Sequence, residues 1–553
     1  MKKILDLYKS DRKRFVFCVL LIGCILCQTI LTFYFTMFEG KDHMGIDSSW
    51  TYLKTMISVR EGMLYPAKYI NDTTQPAFEQ MLIVLPLMKL FDGNVFASFA
   101  VANLIITLLC VLLIVKISDN FGFDIVAKLM VINLFICPYL ANAYDANNEL
   151  GYHECTNGFA SYQNTLALAL LLIIYFFSIK EENVKMVITG VLVTIGLFLL
   201  DVCKGSGLVI WVGVALLLYV LINVFIENDY KVILRRKNLF LVLFVIAMVL
   251  GSFVGRLIGY EYFENNMNWI DAEYYFKNLG NVIICFANML GGVPTAGKVR
   301  NPMTFDGYVY CFGIIISLVF YISVGYAVVK TIKGIQKSNK DNKVDEVALF
   351  LTTIVLANIF IFSFLISWGS IEMYSIRYLI PPAQVGFILV GYFINSLDSK
   401  LILRRIGVVA LFVGIVGMNL YSDYYMAIYN NDRLMLDELV DAIDEKDGVG
   451  LVYFWDEGMD MLMAERVIRV VDFDRVYKSI SNGNELQTFG DYSIYDDSTT
   501  YSGPTVIVTN GTNEVIPAEI RSDYSFMKKI GDYALYYCAQ NPVDTRPYIN
   551  KKY

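Results

Sequence analysis

Long apolar runs, repeated along most of the chain, limit what this protein can fold into. Eleven runs of about 20 residues carry almost no charge, and that is the length an α-helix needs to cross the roughly 30 Å hydrocarbon core of a bilayer. Of the 553 residues, 56% are hydrophobic and 18% are charged, against about 25% charged in soluble domains. The pattern predicts a mainly α-helical, polytopic membrane protein with spans at 15–37, 95–117, 125–141, 162–179, 186–202, 206–226, 239–260, 308–329, 347–367, 378–397 and 402–420.

Lysine and arginine collect in alternate connections, and this predicts the orientation of the chain. The basic segments are 1–14, 231–237, 330–343 and 400–405. The opposite connections, 38–94, 142–161 and 261–307, are mixed or acidic. Because basic connections stay on the cytoplasmic side, we expect a multi-pass plasma-membrane protein with a cytoplasmic N-terminus. Lysine-rich inner connections and Tyr- and Asn-rich outer ones are compatible with a bacterial membrane.

The composition changes to that of a small aqueous domain after residue 420. An amphipathic helix is predicted over 432–446, and strands are predicted at 449–455, 467–473, 505–509 and 533–538. With eleven spans and an inner N-terminus, this part lies outside the cell. The sequence therefore predicts a transmembrane domain over 1–420 and an extracytoplasmic α/β domain over 421–553 that packs against the outer loops.

Charge and motif content exclude several classes of function. The net charge of −7 argues against nucleic acid, which attracts basic surfaces. The chain has no glycine-rich phosphate loop, so nucleotide binding has no support. The ten cysteines lack the spacing of a zinc site, and His43 and His153 are the only histidines. We predict no resident metal and no required cofactor.

The first outer loop, 38–94, has two features expected of a reaction site at the membrane surface. Asp47 precedes a segment of helical spacing in which Trp50, Leu53, Met56 and Ile57 share one face. The apolar segment 76–93 is too short to span and predicts a second interfacial helix. A carboxylate at headgroup depth can take a proton from an acceptor that attacks a lipid-held substrate. Asp47 is therefore the candidate general base.

These features resemble a known family of membrane enzymes. The first span, then the acid in G-I-D-S-S-W-T-Y, then E-G-M-L-Y, then the proline-bearing Q-P-A-F-E-Q-M-L-I-V-L-P-L-M-K-L-F-D-G are similar to the GT-C superfamily of polyprenyl-linked glycosyltransferases. That superfamily includes protein O-mannosyltransferases and aminoarabinose transferases. The K-G-S-G-L stretch at Lys204 and the R-Y-L-I-P-P stretch at Arg377 are similar to segments found in such chains.

The resemblance implies the fold and the reaction. It implies a catalytic acid in the first outer loop, here Asp47, together with interfacial helices and a bundle of about eleven spans. It also implies a sugar donor carried on a polyprenyl phosphate and a glycan, lipid or protein acceptor in the cell envelope. The second outer loop lacks a D-x-D motif, which argues against metal dependence of the oligosaccharyltransferase kind.

Further candidates for substrate binding lie in the outer loops and at the outer ends of spans. His153 and Glu154 are adjacent in the second outer loop, where they can orient the acceptor, pair with Asp47 or ligate a divalent ion. His43 lies four residues before Asp47 and can contact sugar hydroxyls. Three cations lie at the outer ends of different spans: Lys204, Arg256 and Arg377. If those ends converge, they form a clamp for a lipid phosphate; otherwise they contact anionic headgroups.

The sequence thus predicts a hexosyl- or pentosyltransferase that moves a sugar from a lipid-linked donor at the outer face. Whether it inverts or retains the anomeric configuration stays open, as does a divalent ion. Two alternatives remain: a lipid or polysaccharide transporter, which would need an inverted repeat, and a polymerase or ligase of the O-antigen type.

Overall fold

The structure is a computed structural model that describes most of the membrane bundle and part of the C-terminal region. The described segments are 11–39, 80–137, 164–180, 183–204, 207–257, 267–292, 303–337, 345–368, 376–397, 402–428, 433–447, 449–452, 503–516 and 520–542, with the short pieces 51, 55, 58–59, 62, 152, 156 and 518.

The described residues form fourteen α-helices and six short strands. The helices are α1 (Arg12–Tyr34), α2 (Met81–Leu90), α3 (Val95–Phe121), α4 (Ile125–Ile136), α5 (Asn164–Ser178), α6 (Val184–Lys204), α7 (Val214–Glu227), α8 (Arg236–Leu257), α9 (Tyr275–Met289), α10 (Phe305–Lys337), α11 (Glu346–Phe360), α12 (Ile380–Ser396), α13 (Ile402–Ile428) and α14 (Arg433–Asp444). The strands are β1 (Met267–Trp269), β2 (Ile366–Trp368), β3 (Val449–Val452), β4 (Thr505–Thr509), β5 (Ser525–Ile530) and β6 (Tyr533–Cys538).

Each predicted span is helical over most of its described length, although the span 347–367 ends in strand β2. Eight helical segments in the described part are long and apolar enough to cross a bilayer, beginning with Arg12–Phe38 and ending with Arg404–Tyr424. The helices α4 and α5 are apolar but shorter. The mainly α-helical membrane architecture is therefore confirmed, while eleven crossings stay a prediction. The predicted interfacial helix over 76–93 is present as α2.

Short polar side chains set where the membrane helices begin. Asp11, Asn94, Asp124 and Asp345 each precede a helix, and each side chain accepts a hydrogen bond from the backbone N–H three residues later, at 2.9 to 3.1 Å. Such N-caps satisfy a donor that the helix itself leaves unpaired. Each of these four helices thus begins at a residue whose side chain pairs one of the free backbone N–H groups of the first turn.

The helix ends that the charge pattern assigns to one membrane side lie together. Asp124 accepts hydrogen bonds from Arg14 (Nη2–Oδ2, 3.1 Å) and Arg404, and its backbone N–H donates to Asn395 Oδ1 at 2.8 Å. These residues come from the starts of α1, α4 and α13 and the end of α12. All belong to the predicted cytoplasmic side, so the relative sidedness of these helices agrees with the prediction.

A second ion pair joins α10, α11 and α12 on the same side. Lys330 Nζ lies 2.9 Å from Asp345 Oδ2, and the Tyr392 hydroxyl donates to the same oxygen at 2.5 Å. Burial raises the pKa of Asp345, but hydrogen bonds from Tyr392, Lys330 and the Ala348 N–H outweigh it and hold the pKa below its usual value. Asp345 is therefore a charged partner for Lys330 at neutral pH.

Helices α6 and α8 pack with their backbones almost in contact. Gly251 and Gly255 form a G-x-x-x-G pattern on α8. A Cβ added at Gly251 would lie 2.4 Å from the carbonyl oxygen of Phe198, and one added at Gly255 would lie 2.3 Å from that of Val202. Small residues in this spacing let membrane helices approach closely.

We expect Gly255→Ala to lower the melting temperature of the detergent-solubilised protein, because the added methyl group overlaps the Val202 carbonyl and overpacking costs about 1–3 kcal/mol. Gly196→Ala on α6 is the matched control, since no atom lies within 4 Å of a Cβ added there. It should keep or raise the melting temperature. Equal melting temperatures for the two variants would contradict close packing at Gly255.

The described part of the C-terminal region contains one α-helix and a four-stranded sheet of order β3-β4-β6-β5. Strands β3 and β4 are parallel, with Val449 opposite Thr505, and the other neighbours are antiparallel. The predicted helix and the predicted strands at 449–455, 505–509 and 533–538 are present, the predicted strand at 467–473 lies outside the described residues, and β5 was not predicted. The expected packing against an outer loop is also present, because α2, the start of α3, α14 and the sheet share one hydrophobic core.

Candidate functional site

The predicted site residues of the first two outer loops lie outside the described residues. These are His43, Asp47, His153 and Glu154, and their roles stay predictions. In the first loop, the described residues Thr51, Thr55, Ser58 and Val59 are helical, in agreement with the predicted interfacial helix. Thr55 and Ser58 are buried.

Two of the predicted cations lie on helix ends that are in contact. Lys204 is the last residue of α6 and Arg256 is the penultimate residue of α8; the structure describes the backbone of both. The Cα of Gly255 lies against the Val202 carbonyl, two residues before Lys204. The ends of α6 and α8 that carry these cations therefore converge.

The third predicted cation lies on a turn tied to the same region. Arg377 is in the 3₁₀ turn Ile376–Leu379, described there by its backbone. Trp211 Nε1 donates to the Tyr378 carbonyl at 3.0 Å, and the two rings stack at 6.5 Å. Since Trp211 follows Lys204 by seven residues, the turn with Arg377 lies at the same end of the bundle as the other two cations.

An acidic residue accompanies these cations. Asp201 is completely buried between α6 and α8, one helical turn before Lys204, and a Cβ added at Gly251 would lie 3.2 Å from its Cβ. An ionised carboxylate in such a position requires a compensating charge or hydrogen bonds. This end of the bundle therefore carries an acidic residue as well as the three basic ones.

The second outer loop is anchored to the bundle at the residue before His153. Tyr152 is completely buried, its hydroxyl donates to the Phe135 carbonyl at 2.7 Å, and its ring lies 6.1 Å from that of Phe387. Thr156 in turn donates to the Tyr152 carbonyl at 2.6 Å. The backbone that leads into His153 and Glu154 thus lies at the end of α4.

Three π-helical turns occur at helix ends on the predicted outer side. They are Phe35–Glu39 after α1, Val209–Gly213 before α7 and Ile361–Leu365 after α11. Such turns are rare in proteins overall, and those that occur are often found at functional sites. The second contains Trp211, and the third contains Phe362, whose ring stacks on Tyr378 at 6.5 Å.

A cluster of buried amides in the membrane helices was not predicted from the sequence. Gln80, Asn103 and Asn164 are each at most 5% exposed. Asn103 Oδ1 accepts hydrogen bonds from Gln80 Nε2 and from Asn164 Nδ2, the second at 2.8 Å. This amide cluster joins α3, α5 and the start of α2 on the predicted outer side.

A mainly apolar groove that includes four threonines lies beside the amide cluster. It encloses about 330 Å³ of empty space, open solvent included, between α1, α3 and α4. The Thr29 and Thr36 hydroxyls donate to carbonyls of their own helix. The lining residues are Thr29, Thr32, Phe33, Thr36, Ala100, Asn103, Leu104, Thr107 and Ile136.

Two buried polar side chains near Arg377 have no hydrogen-bond partner among the described residues. Asn278 on α9 and Ser363 in the third π-turn are both completely buried. Helix α9 packs on that π-turn and on the turn Ile376–Leu379. Leaving a polar group unpaired costs about 1–3 kcal/mol, so these groups are available to hydrogen-bond a ligand.

One acid inside a membrane helix was also missed. Asp423 on α13 accepts a hydrogen bond from Gln28 Nε2 at 2.9 Å, and four residues earlier Asn419 Oδ1 accepts one from the Cys137 thiol. A weak signal existed, because Asp423 follows directly on the last predicted span. In the part of the chain that the structure describes, no three His, Cys, Asp or Glu residues are grouped to hold a metal ion.

Comparison with known proteins identifies the fold. No protein-family model and no curated protein matches the chain. The chain is similar to a crystal structure of ArnT from Cupriavidus metallidurans bound to undecaprenyl phosphate, with a TM-score of 0.53 and 10% identity over 93% of this chain and 97% of that one. It is also similar to ArnT in the apo state, with a TM-score of 0.52 and 11% identity over the same shares. The predicted GT-C-like fold is confirmed.

We expect Asn103→Leu to lower the melting temperature markedly, since Gln80 and Asn164 each lose the acceptor of a buried hydrogen bond at about 1–3 kcal/mol. Asn120→Leu is the matched control on the same helix: Asn120 donates one bond to Ser178 Oγ at 2.8 Å and is half-buried, so a smaller decrease is expected. Thermal unfolding in detergent measures both. A larger decrease for Asn120→Leu would contradict the importance of the amide cluster.

Proposed function

We propose that this protein is a membrane glycosyltransferase that takes a sugar from a polyprenyl-phosphate donor and transfers it to an acceptor at the outer face. The observation that carries the proposal is the likeness of its fold, over 93% of the chain, to a protein crystallised with undecaprenyl phosphate. Convergence of the helix ends that bear Lys204, Arg256 and Arg377 supports it, because a departing lipid phosphate needs cations at one place.

In the proposed reaction, a hydroxyl or amine of the acceptor loses its proton to Asp47 and bonds to the anomeric carbon of the sugar. The bond between that carbon and the phosphate oxygen breaks, and its electron pair stays on the lipid phosphate. Lys204 and Arg377 stabilise this charge, with Arg256 beside them; arginine does so through its planar fork of donors. In a retaining enzyme the sugar would pass through an intermediate, which the proposal leaves open.

The remaining candidates would position the reactants. His153 and Glu154 follow the anchored Tyr152 and would orient the acceptor, and His43 would contact the donor sugar. Asn278 and Ser363 would bind polar atoms of the donor near Arg377. No step requires a nucleotide or a cofactor, and a divalent ion held by the second outer loop stays an alternative.

Asp47→Asn should reduce transfer by about 10²–10⁴-fold, the usual contribution of a general base, while polyprenyl phosphate still binds. The donor is first identified by mass spectrometry of the lipids that co-purify with the full-length protein, and its labelled sugar is then followed. Asp92→Asn is the control, because Asp92 is an exposed acid beyond α2 whose φ of 50° suits asparagine. Full transfer by Asp47→Asn would reject Asp47 as the general base, and no transfer by the unmodified protein would favour a transporter.

Lys204→Gln and Arg377→Gln should each weaken binding of undecaprenyl phosphate by about 10- to 100-fold, because a hydrogen bond to a charged group contributes about 1.5–3 kcal/mol. Lys333→Gln, an exposed cation on the predicted inner part of α10, should leave the Kd unchanged. Native mass spectrometry of the detergent-solubilised protein measures the affinities. An unchanged Kd for both outer variants would remove the phosphate clamp from the mechanism.

A further inference from the structure

The C-terminal region and the first outer loop share one hydrophobic core. On α2, Met81, Val84 and Met88 are at most 3% exposed, and on α14 Leu439 and Ile443 are completely buried. The other buried members of this core are Val95, Phe99, Ala102, Val440, Ala442, Val506, Val508, Ile530, Tyr533 and Leu535. Helix α2 thus shares one core with the C-terminal helix and sheet and with the start of α3.

Helix α2 depends on this packing for its stability. It has ten residues and contains Pro86, and isolated helices of fewer than about 12–15 residues are marginal in water. Its buried residues lie at spacings of three and four, along one stripe, while Leu82 and Leu90 on other sides are exposed. The core shared with α14 and α3 therefore fixes where α2 lies.

The N-terminal end of α2 contacts two other parts of the molecule. Gln80, its N-cap residue, donates to Asn103 of the amide cluster in the membrane bundle. The Sδ of Met81 lies 3.5 Å from the Thr55 hydroxyl, and Thr55 belongs to the helical residues that follow Asp47. Two consecutive residues of α2 thus connect the C-terminal core, the bundle and the first outer loop.

We infer that the C-terminal helix and sheet position the first outer loop: they hold α2, and α2 holds the helical residues Thr55 and Ser58 against the bundle. Val84 and Ile443 are positioning residues in this arrangement. The packing is independent of what the protein catalyses, whereas its consequence for Asp47 rests on the proposed function. Loosening the shared core should release the loop without removing any residue of the site.

A buried thiol reports on the loop directly. Ser58 is 1% exposed, and its hydroxyl has no partner among the described residues, so Ser58→Cys places a thiol of similar size there. In the full-length protein, Ile443→Ala should raise the labelling rate of that thiol by a membrane-impermeant maleimide at least about tenfold, because core truncation favours local opening. Asp441→Ala, on the exposed side of α14, should leave the rate unchanged. Mass spectrometry of the peptide containing residue 58 separates it from the native cysteines.

Val84→Ala, on the α2 side of the core, tests the same inference if Ile443→Ala does not yield folded protein. An unchanged labelling rate in Val84→Ala, and in Ile443→Ala where that variant folds, would overturn the inference. Where Asp47 acts as proposed, both core variants should also transfer sugar more slowly with an unchanged KM for the lipid donor. Faster labelling in a protein that transfers no sugar would support the positioning role and reject the proposed function, and full transfer by Asp47→Asn would reject only the role proposed for Asp47.

Discussion

Inside a bilayer, polar groups have no water to bond to, so each must be paired within the protein. In this chain those pairs determine which helices are neighbours. Asp124 brings Arg14 and Arg404 together from opposite ends of the bundle sequence, and Gln28 meets Asp423 across 395 residues. On the predicted outer side the amide cluster plays the same part. The apolar surfaces make helices insert, but these few bonds specify their arrangement.

The sequence predicted the helices well because their signal is local and repeated. It did not reveal the amide cluster, since one amide hardly changes the hydropathy of a long run: the span that contains Asn103 still has a mean hydropathy of 2.7. Strand β5 was missed because its outer residues, including Lys529, are exposed and give no apolar run. The π-turns have no sequence signature of their own.

The candidate site was likewise predictable in its residues but not in their arrangement. Lys204, Arg256 and Arg377 could be chosen from the sequence because each is a charge at the end of an apolar run. Their convergence depends on contacts between residues far apart in the chain, namely Gly255 against Val202 and Trp211 against Tyr378. No local pattern contains those contacts. The catalytic assignment of Asp47 rests on the resemblance and on the position of the loop, and it stays a prediction.

The shortness of α4 has a consequence for the depth of the reaction. Twelve residues of α-helix rise about 18 Å, well below the roughly 30 Å of a hydrocarbon core, and the helix begins at Asp124 among the inner charges. If α4 begins at the inner surface as predicted, it ends short of the outer leaflet surface, and Tyr152 meets Phe135 at that level. A polyprenyl phosphate drawn down to that level would lose much of its hydration. Attraction between a phosphate and a guanidinium is weakened far less at such a depth than in water, so the proposed transfer would be favoured electrostatically if it takes place there.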